Sequence, residues 1–191
     1  MKVGSVPMTP KPLGTSIRIF LADGGADGVW VVEKSNWTGK ALMAPRTRFG
    51  DLRARSDLDG PGVYLLIGPT ESGLLANRVY IGETDDLPGR LDSHNKNKEF
   101  WNRAIVFTSK DANLNKAHIR YLEARLIGLA TVAKRAELDN GNLGSSPPLS
   151  EPDTCLLYTS DAADDLLCVD HGGSRIIKKK TTRRRCSTKS P

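Results

Sequence analysis

Five side chains with the chemistry to handle a phosphate ester stand in the middle of the chain. They are two phenols, a guanidinium, an imidazole and a carboxylate: Tyr64, Tyr80, Arg90, His94 and Glu123. A guanidinium presents a planar fork of N–H donors that fits phosphate oxygens, and a carboxylate supplies the oxygen ligand that Mg²⁺ prefers. Imidazole exchanges protons near neutral pH, and a phenol does so when a nearby cation favours its ionised form.

The two tyrosines lie in short apolar runs that are typical of β-strands. Residues 63–67 and 79–81 are rich in β-branched and aromatic side chains. The turn-forming residues 68–73 between them predict an antiparallel hairpin. In the predicted register Tyr64 lies directly opposite Tyr80. We therefore expect both phenols on one face of a small sheet.

A helix is predicted directly after the second strand. Asp85 and Asp86 can cap free backbone N–H groups, and Pro88 suits the first turn of a helix. Arg90 and His94 are four residues apart and therefore share one face of that helix. This face begins where the second strand ends, so we expect the guanidinium and the imidazole to lie beside the phenols.

A long helix is predicted over about residues 113–136, and two apolar lines run along it with helical spacing. The second line places Glu123 between Ile119 and Ile127, so its carboxylate is expected to be partly buried and to need a partner. That partner is either Arg90, in an ion pair, or a divalent metal ion. The first line, which we expect to face the sheet, comprises Leu114, His118, Leu122, Leu126, Leu129 and Ala133.

In this order and at these spacings the residues resemble the GIY-YIG nucleases. The pattern of that family is a G-[IV]-Y strand, a Y-[IV]-G strand, an arginine ten residues after the second tyrosine, often a histidine four residues later, and a glutamate on a later helix. In this chain the pattern is carried by Gly62-Val63-Tyr64, Tyr80-Ile81-Gly82, Arg90, His94 and Glu123. The resemblance covers residues 60–137, with Trp101–Thr108 as the third strand.

The resemblance implies an α/β fold: a small, mostly antiparallel, three-stranded sheet flanked by helices, with a β-rich N-terminal extension. It also implies a metal-dependent endonuclease that hydrolyses nucleic-acid phosphodiesters, with DNA as the expected substrate. Tyr64 would be the general base, and Tyr80 would position the attacking water or the phosphate. Arg90 would stabilise the transition state, and His94 would take up a proton or contact the phosphate. Glu123 would bind one Mg²⁺ or Mn²⁺ in each active site.

Several alternatives stay open. A catalytically inactive module with the same fold would grip DNA without cutting it. Glu83, which directly follows the second triplet, is the nearest competitor of Glu123 as a metal ligand. Members of the family often carry an asparagine after the glutamate helix, and either Asn140 or Asn142 would fit. His118 is expected to be a core histidine with satisfied hydrogen bonds and not a ligand.

The chain divides by composition into four predicted segments: a β-rich N-terminal extension (1–60), the nuclease-like core (61–137), a loop rich in Asn, Gly and Pro (138–154) and a non-native tail (155–191). Within the extension, alternating apolar residues predict a hairpin over residues 17–32. A short strand is expected over residues 40–43 and a short helix over residues 49–55.

The tail, residues 155–191, resembles a translated sequencing adapter. Codons for residues 155–165 fit the transposase-end adapter of sequencing libraries throughout, and codons for residues 168–178 closely fit its downstream primer site. We therefore expect a disordered, non-native tail, and a natural chain that continues differently after Thr154.

Excluding the tail changes the charge and the cysteine count. The tail holds eight of the 28 Lys and Arg and four of the 22 Asp and Glu, so the net charge falls from +6 to +2. All three cysteines are in the tail, so the rest of the chain has no disulfide framework and no thiolate metal site. No stretch approaches the roughly 18 apolar residues of a membrane span, and residues 1–14 lack the apolar core of a secretion signal. We therefore expect a cytoplasmic protein without a membrane partner.

Overall fold

The computed structural model describes residues 14–35, 37–70, 77–111, 113–141, 148–151 and 153. Within these residues the chain forms an α/β fold, as predicted, with seven strands and three α-helices. The strands are β1 (Ile17–Leu21), β2 (Trp30–Lys34), β3 (Gly39–Pro45), β4 (Gly62–Gly68), β5 (Arg78–Thr84), β6 (Arg103–Ser109) and β7 (Glu137–Leu138). The helices are α1 (Phe49–Arg53), α2 (Leu87–Asn97) and α3 (Lys116–Ala133), and 3₁₀ turns cover Arg46–Arg48 and Ser56–Leu58. The predicted tail lies outside the described residues.

All seven strands belong to one sheet, in the order β1-β2-β3-β6-β4-β5-β7. Its neighbours are antiparallel except β5 and β7, which are parallel. The three predicted core strands are β6, β4 and β5, so the expected three-stranded sheet was too small. The N-terminal strands continue the same sheet because β3 pairs with β6 along its whole length, from Gly39 opposite Ser109 to Pro45 opposite Arg103.

The sheet is covered by helices on both faces, which gives two apolar cores. On one face α1 and α2 cover a core that includes the fully buried Leu42, Leu52, Tyr64, Leu91 and Val106. On the other face α3 packs on β4 and β5 through Val63, Ile81, Ile119 and Ile127. The predicted catalytic tyrosine, Tyr64, therefore belongs to the larger core and is not at the surface.

The long helix α3 packs on the sheet through both of its apolar lines, although only the first was expected to face the sheet. Ile119 and Ile127, on either side of Glu123, are buried, whereas Leu129 is 57% exposed and Ala133 is also exposed. His118 of the expected line is buried, and Leu114, Leu122 and Leu126 pack against the same core, so the prediction fails only for the last two residues of that line. The side chain of Asn115 caps the helix by accepting hydrogen bonds from the first turn. No helix in the described part of the chain is long and apolar enough to cross a membrane.

Candidate active site

The two tyrosines share one face of the β4–β5 hairpin, as predicted, but in a different register. Tyr64 lies opposite Gly82, and Tyr80 lies opposite Leu66. This is a shift of two residues from the predicted register, which keeps every side chain on its own face. The two rings are diagonal neighbours with centroids 6.2 Å apart. Glycine is required at position 82, because a Cβ there would collide with the Tyr64 hydroxyl. That hydroxyl cannot move aside, since its ring is buried and its oxygen is hydrogen-bonded.

Helix α2 brings the predicted guanidinium and imidazole to the Tyr64 hydroxyl. The side chain of Asp86 caps the helix by accepting a hydrogen bond from the Gly89 N–H at 3.0 Å. One turn further on, Arg90 donates its Nε–H to Tyr64 Oη at 3.2 Å. His94 Nε2 lies 2.7 Å from the same oxygen. Tyr64 therefore sits at the centre of a hydrogen-bonded chain, Arg90–Tyr64–His94, whose members come from one strand and one helix.

Burial determines which members of the Arg90–Tyr64–His94 hydrogen-bonded chain carry a proton. Burial raises the pKa of the Tyr64 phenol well above its ordinary value, although the hydrogen bond from Arg90 acts in the opposite direction. Burial and the positive charges of Arg90 and Lys98 lower the pKa of His94 to about 4. At neutral pH Tyr64 is a protonated donor and His94 is a neutral acceptor. Arg90 is the nearby cation that we expected to favour the phenolate of Tyr64, but its effect on the Tyr64 pKa is smaller than that of burial.

The His94 pKa predicts a loss of stability in acid. Its folded-state pKa, about 4, lies below the ordinary value of 6.5, so its contribution to stability is complete above pH 6.5 and is lost as pH falls through 4. His94→Gln does not titrate, so the free-energy difference between the parent and this variant should shrink by on the order of 3 kcal/mol across that range. Urea unfolding from pH 8 to pH 4 measures this difference. A difference that is the same at every pH would show that His94 is not held neutral.

Glu123 is half-buried on α3 beside a second carboxylate, that of Glu83 on β5. Burial and the negative charge of Glu83 raise the pKa of the Glu123 carboxyl. One oxygen of Glu83 is itself buried without a hydrogen bond and lies 3.6 Å from the Lys116 ammonium. In the described part of the chain no ion pair within 4 Å joins Glu123 to Arg90, so the predicted alternative partner is not used.

Two neighbouring carboxylates are a donor set that suits a divalent metal ion. Mg²⁺ and Mn²⁺ prefer carboxylate oxygens, and a divalent charge would relieve the repulsion that raises the Glu123 pKa. Among the described residues no group of three or more His, Cys, Asp or Glu side chains is placed to hold a metal ion. The donor set therefore suits an ion that keeps water or phosphate in its remaining positions, as Mg²⁺ commonly does.

A second cationic residue, Lys98, borders the Tyr80 ring. The Lys98 ammonium lies 4.3 Å from the centre of the Tyr80 ring and 2.5 Å from a carboxylate oxygen of Asp139. Asp139 also accepts a hydrogen bond from Arg78. Burial would raise the pKa of Asp139, but the hydrogen bonds from Lys98 and Arg78 hold it below its ordinary value. Sequence reasoning gave Asp139 no role, because no local pattern places residue 139 next to residue 98.

Of the two candidate asparagines, Asn140 has a structural role. Its side-chain oxygen accepts a hydrogen bond from the Ile81 N–H at 3.0 Å, and its amide nitrogen donates to the Ile81 carbonyl at 2.7 Å. The side chain thus extends the parallel β7 pairing along the edge of β5, and both of its polar atoms are occupied. Asn142 lies outside the described residues, so its role stays a prediction.

His118 is buried and hydrogen-bonded, as expected for a core histidine. Its Nδ1 lies 3.0 Å from the Asn113 carbonyl oxygen, and its Nε2 lies 3.3 Å from a carboxylate oxygen of Asp153. It also forms the capping box at the start of α3 with Asn115. These contacts give His118 a role in holding the N-terminus of α3, away from the hydrogen-bonded chain of Tyr64.

No family model, curated protein sequence or solved structure matches this chain. The likeness to the GIY-YIG nucleases therefore depends on the residues quoted above and on their arrangement. Tyr64, Tyr80, Arg90 and His94 are brought together on the face of the sheet that α2 covers. Glu123 lies on α3, which packs on the other face, and it is connected to them by the positive charge of Arg90, which opposes the rise in the pKa of Glu123.

Proposed function

We propose that the protein is a metal-dependent endonuclease of the GIY-YIG type that hydrolyses phosphodiester bonds in DNA. The observation that carries the proposal is the Arg90–Tyr64–His94 hydrogen-bonded chain, with the Tyr80 ring 5.1 Å from the imidazole. A fold held together by apolar packing has no need of a buried phenol between an arginine and a neutral histidine. Phosphodiester hydrolysis does need a proton acceptor, a fixed cation and a group that orients water.

The proton acceptor in this proposal is the Tyr64–His94 pair and not a free phenolate. As Tyr64 Oη takes a proton from the attacking water, it passes its own proton to Nε2 of His94, which is neutral at pH 7. This relay needs no ionised phenol, so the raised pKa of Tyr64 does not prevent it. Tyr80 is only half-buried, and it is the phenol that can position water or phosphate at the surface.

Arg90 supplies the fixed cation. Its side chain is exposed, its Nε–H is directed to Tyr64, and the guanidinium has further N–H donors for phosphate oxygens. The hydrogen bond to Tyr64 fixes the guanidinium in place before DNA binds, so little reorganisation is needed as negative charge develops on the phosphate. Arg90 therefore has the position and the donors expected of a transition-state stabiliser.

Glu123 would hold the metal ion, with Glu83 as the adjacent carboxylate. One Mg²⁺ or Mn²⁺ at this place would polarise the scissile phosphate and stabilise the leaving oxygen. Because the pKa of Glu123 is raised, protons compete with the metal up to a higher pH than at an ordinary glutamate.

A nicking assay on supercoiled plasmid tests the proposal. We expect the full chain to convert the plasmid to open circles with Mg²⁺ or Mn²⁺ and to be inactive in EDTA. The full burial of Tyr64 favours a second candidate, an inactive module that binds DNA. A chain that retards DNA in a gel but never nicks it, with either metal and from pH 6 to pH 9, would establish the binding module and refute the nuclease.

A further inference from the structure

Strand β1 forms a free edge of the sheet with apolar side chains in water. It lies at the end of the strand order and pairs with β2 alone among the described strands. Ile17 is 66% exposed, Ile19 is 55% exposed and Phe20 is 58% exposed. Edge strands of monomeric proteins are usually protected by short length, charged side chains, proline or a bulge. β1 is only five residues long and carries one charge, Arg18, but it has no proline and pairs with β2 in an unbroken register, so three apolar side chains and a regular backbone edge remain exposed.

The backbone of β1 presents a complete set of hydrogen-bonding groups at this edge. The Ser16 carbonyl accepts from the Ser35 N–H at 2.9 Å, and the Ala22 N–H donates to the Val29 carbonyl at 2.9 Å. The backbone N–H and C=O groups of the even-numbered residues of β1 therefore point toward β2. Because backbone groups alternate in direction along an antiparallel strand, the N–H and C=O of Ile17, Ile19 and Leu21 point outward. These groups form a template for one more antiparallel strand.

We propose that β1 of a second copy of this chain pairs with this edge, antiparallel and with the two-fold axis at Ile19. In this register Ile17 lies opposite Leu21 of the second copy, and the two Ile19 residues lie opposite each other. The outward groups of the three odd-numbered residues then satisfy one another in six hydrogen bonds. Such a contact is isologous, so it closes as a dimer and does not continue into a fibre.

The side chains of β1 complement themselves in this register. Ile17, Ile19 and Leu21 of both copies form one apolar patch on one face of the joined sheet. On the other face Arg18 meets Phe20 of the second copy, where a guanidinium over an aromatic ring is favourable. Arg18 is the only charged residue of β1, and it never lies opposite its own counterpart. A second copy therefore meets no like-charge repulsion directly across the pair.

The dimer is expected to be weak and to leave the candidate active site free. Two five-residue strands bury less than the roughly 1,200 Å² of a standard stable interface, so we expect a Kd weaker than about 1 µM. β1 lies five strands away from β5, which at about 4.8 Å for each strand is roughly 24 Å. The inference is thus independent of the proposed nuclease function.

Sedimentation velocity of the full chain from about 1 to 300 µM tests the association. We expect the weight-average mass to rise from monomer toward dimer over this range. Ile19→Pro should stay monomeric, because proline removes an outward N–H and none of the β1–β2 hydrogen bonds. Ile19→Lys should also stay monomeric, whereas Leu129→Lys, at a residue of equal exposure on α3, should dimerise like the parent. A parent that is monomeric throughout, or an Ile19→Pro variant that dimerises normally, would overturn the proposal.

Oxidative crosslinking tests the register. With Cys155, Cys168 and Cys186 replaced by serine, Ile19→Cys should form a disulfide-linked dimer, because paired residues at the axis have Cα atoms about 5.5 Å apart, within disulfide reach. Leu129→Cys in the same background should crosslink at least tenfold more slowly. Equal rates for the two variants would mean random collision and would refute the pairing. Circular dichroism melts of each variant confirm that the compared chains are folded.

Discussion

Arg90→Lys should slow DNA nicking at least ~100-fold, which is the loss expected when one transition-state donor is removed. DNA binding should stay close to that of the parent. Lysine keeps the positive charge but lacks the planar fork, so it cannot present two parallel N–H donors in a fixed geometry. It also lacks the Nε–H that Arg90 donates to Tyr64 at 3.2 Å, so the cation is no longer fixed before DNA binds. Nicking rates at saturating DNA, with gel retardation in EDTA, separate catalysis from binding.

The matched control for this variant is Arg53→Lys. Arg53, on α1, donates its Nε–H to Asp92 at 3.0 Å, and Asp92 lies on α2, the helix that also carries Arg90. The pair is at the surface, and the substitution of arginine by lysine is the same in both variants. Arg53→Lys should leave the nicking rate unchanged, because exposed ion pairs contribute little. If Arg90→Lys nicks as fast as Arg53→Lys, Arg90 is a packing partner of Tyr64 and has no part in catalysis.

Glu123→Gln should abolish Mg²⁺-dependent nicking and also abolish the rise in melting temperature that Mg²⁺ gives the parent. Glutamine has the shape of glutamate but not its charge, so the metal loses its principal ligand. Without metal the variant should be at least as stable as the parent, because it removes a half-buried charge that is repelled by Glu83. Thermal melts with and without Mg²⁺ give a readout that does not depend on activity.

Glu33→Gln is the matched control for the metal-ligand test. Glu33 lies on β2, four strands away from β5, and pairs with Lys110 at 3.0 Å. It should keep both nicking and the Mg²⁺ response. Should Glu83→Gln abolish them while Glu123→Gln keeps them, the ion belongs to Glu83. Should Glu123→Gln be strongly destabilised without metal, its carboxylate is a structural group.

Local periodicity was enough to place most of the candidate site. Side chains alternate along a strand and repeat every 3.6 residues in a helix, so the faces shared by Tyr64 and Tyr80, and by Arg90 and His94, follow from spacing alone. The two-residue error in the hairpin register did no harm to this inference, because a shift by an even number keeps each side chain on its face. Helix α2 was predictable for a similar reason, since its cap, Asp86, precedes it directly in sequence.

The properties that set the chemistry required the tertiary structure. Desolvation depends on every group packed around a side chain, so the full burial of Tyr64 and the lowered pKa of His94 have no local signal. The same holds for contacts across long stretches of chain: Glu83 beside Glu123, and Asn140 on the backbone of Ile81. The size of the sheet also depended on such a contact, because the N-terminal strands join the core strands only through the pairing of β3 with β6, which is distant in sequence. Spacing thus identified which residues share a face of a strand or helix, whereas packing between distant segments determined the remaining contacts and the protonation states.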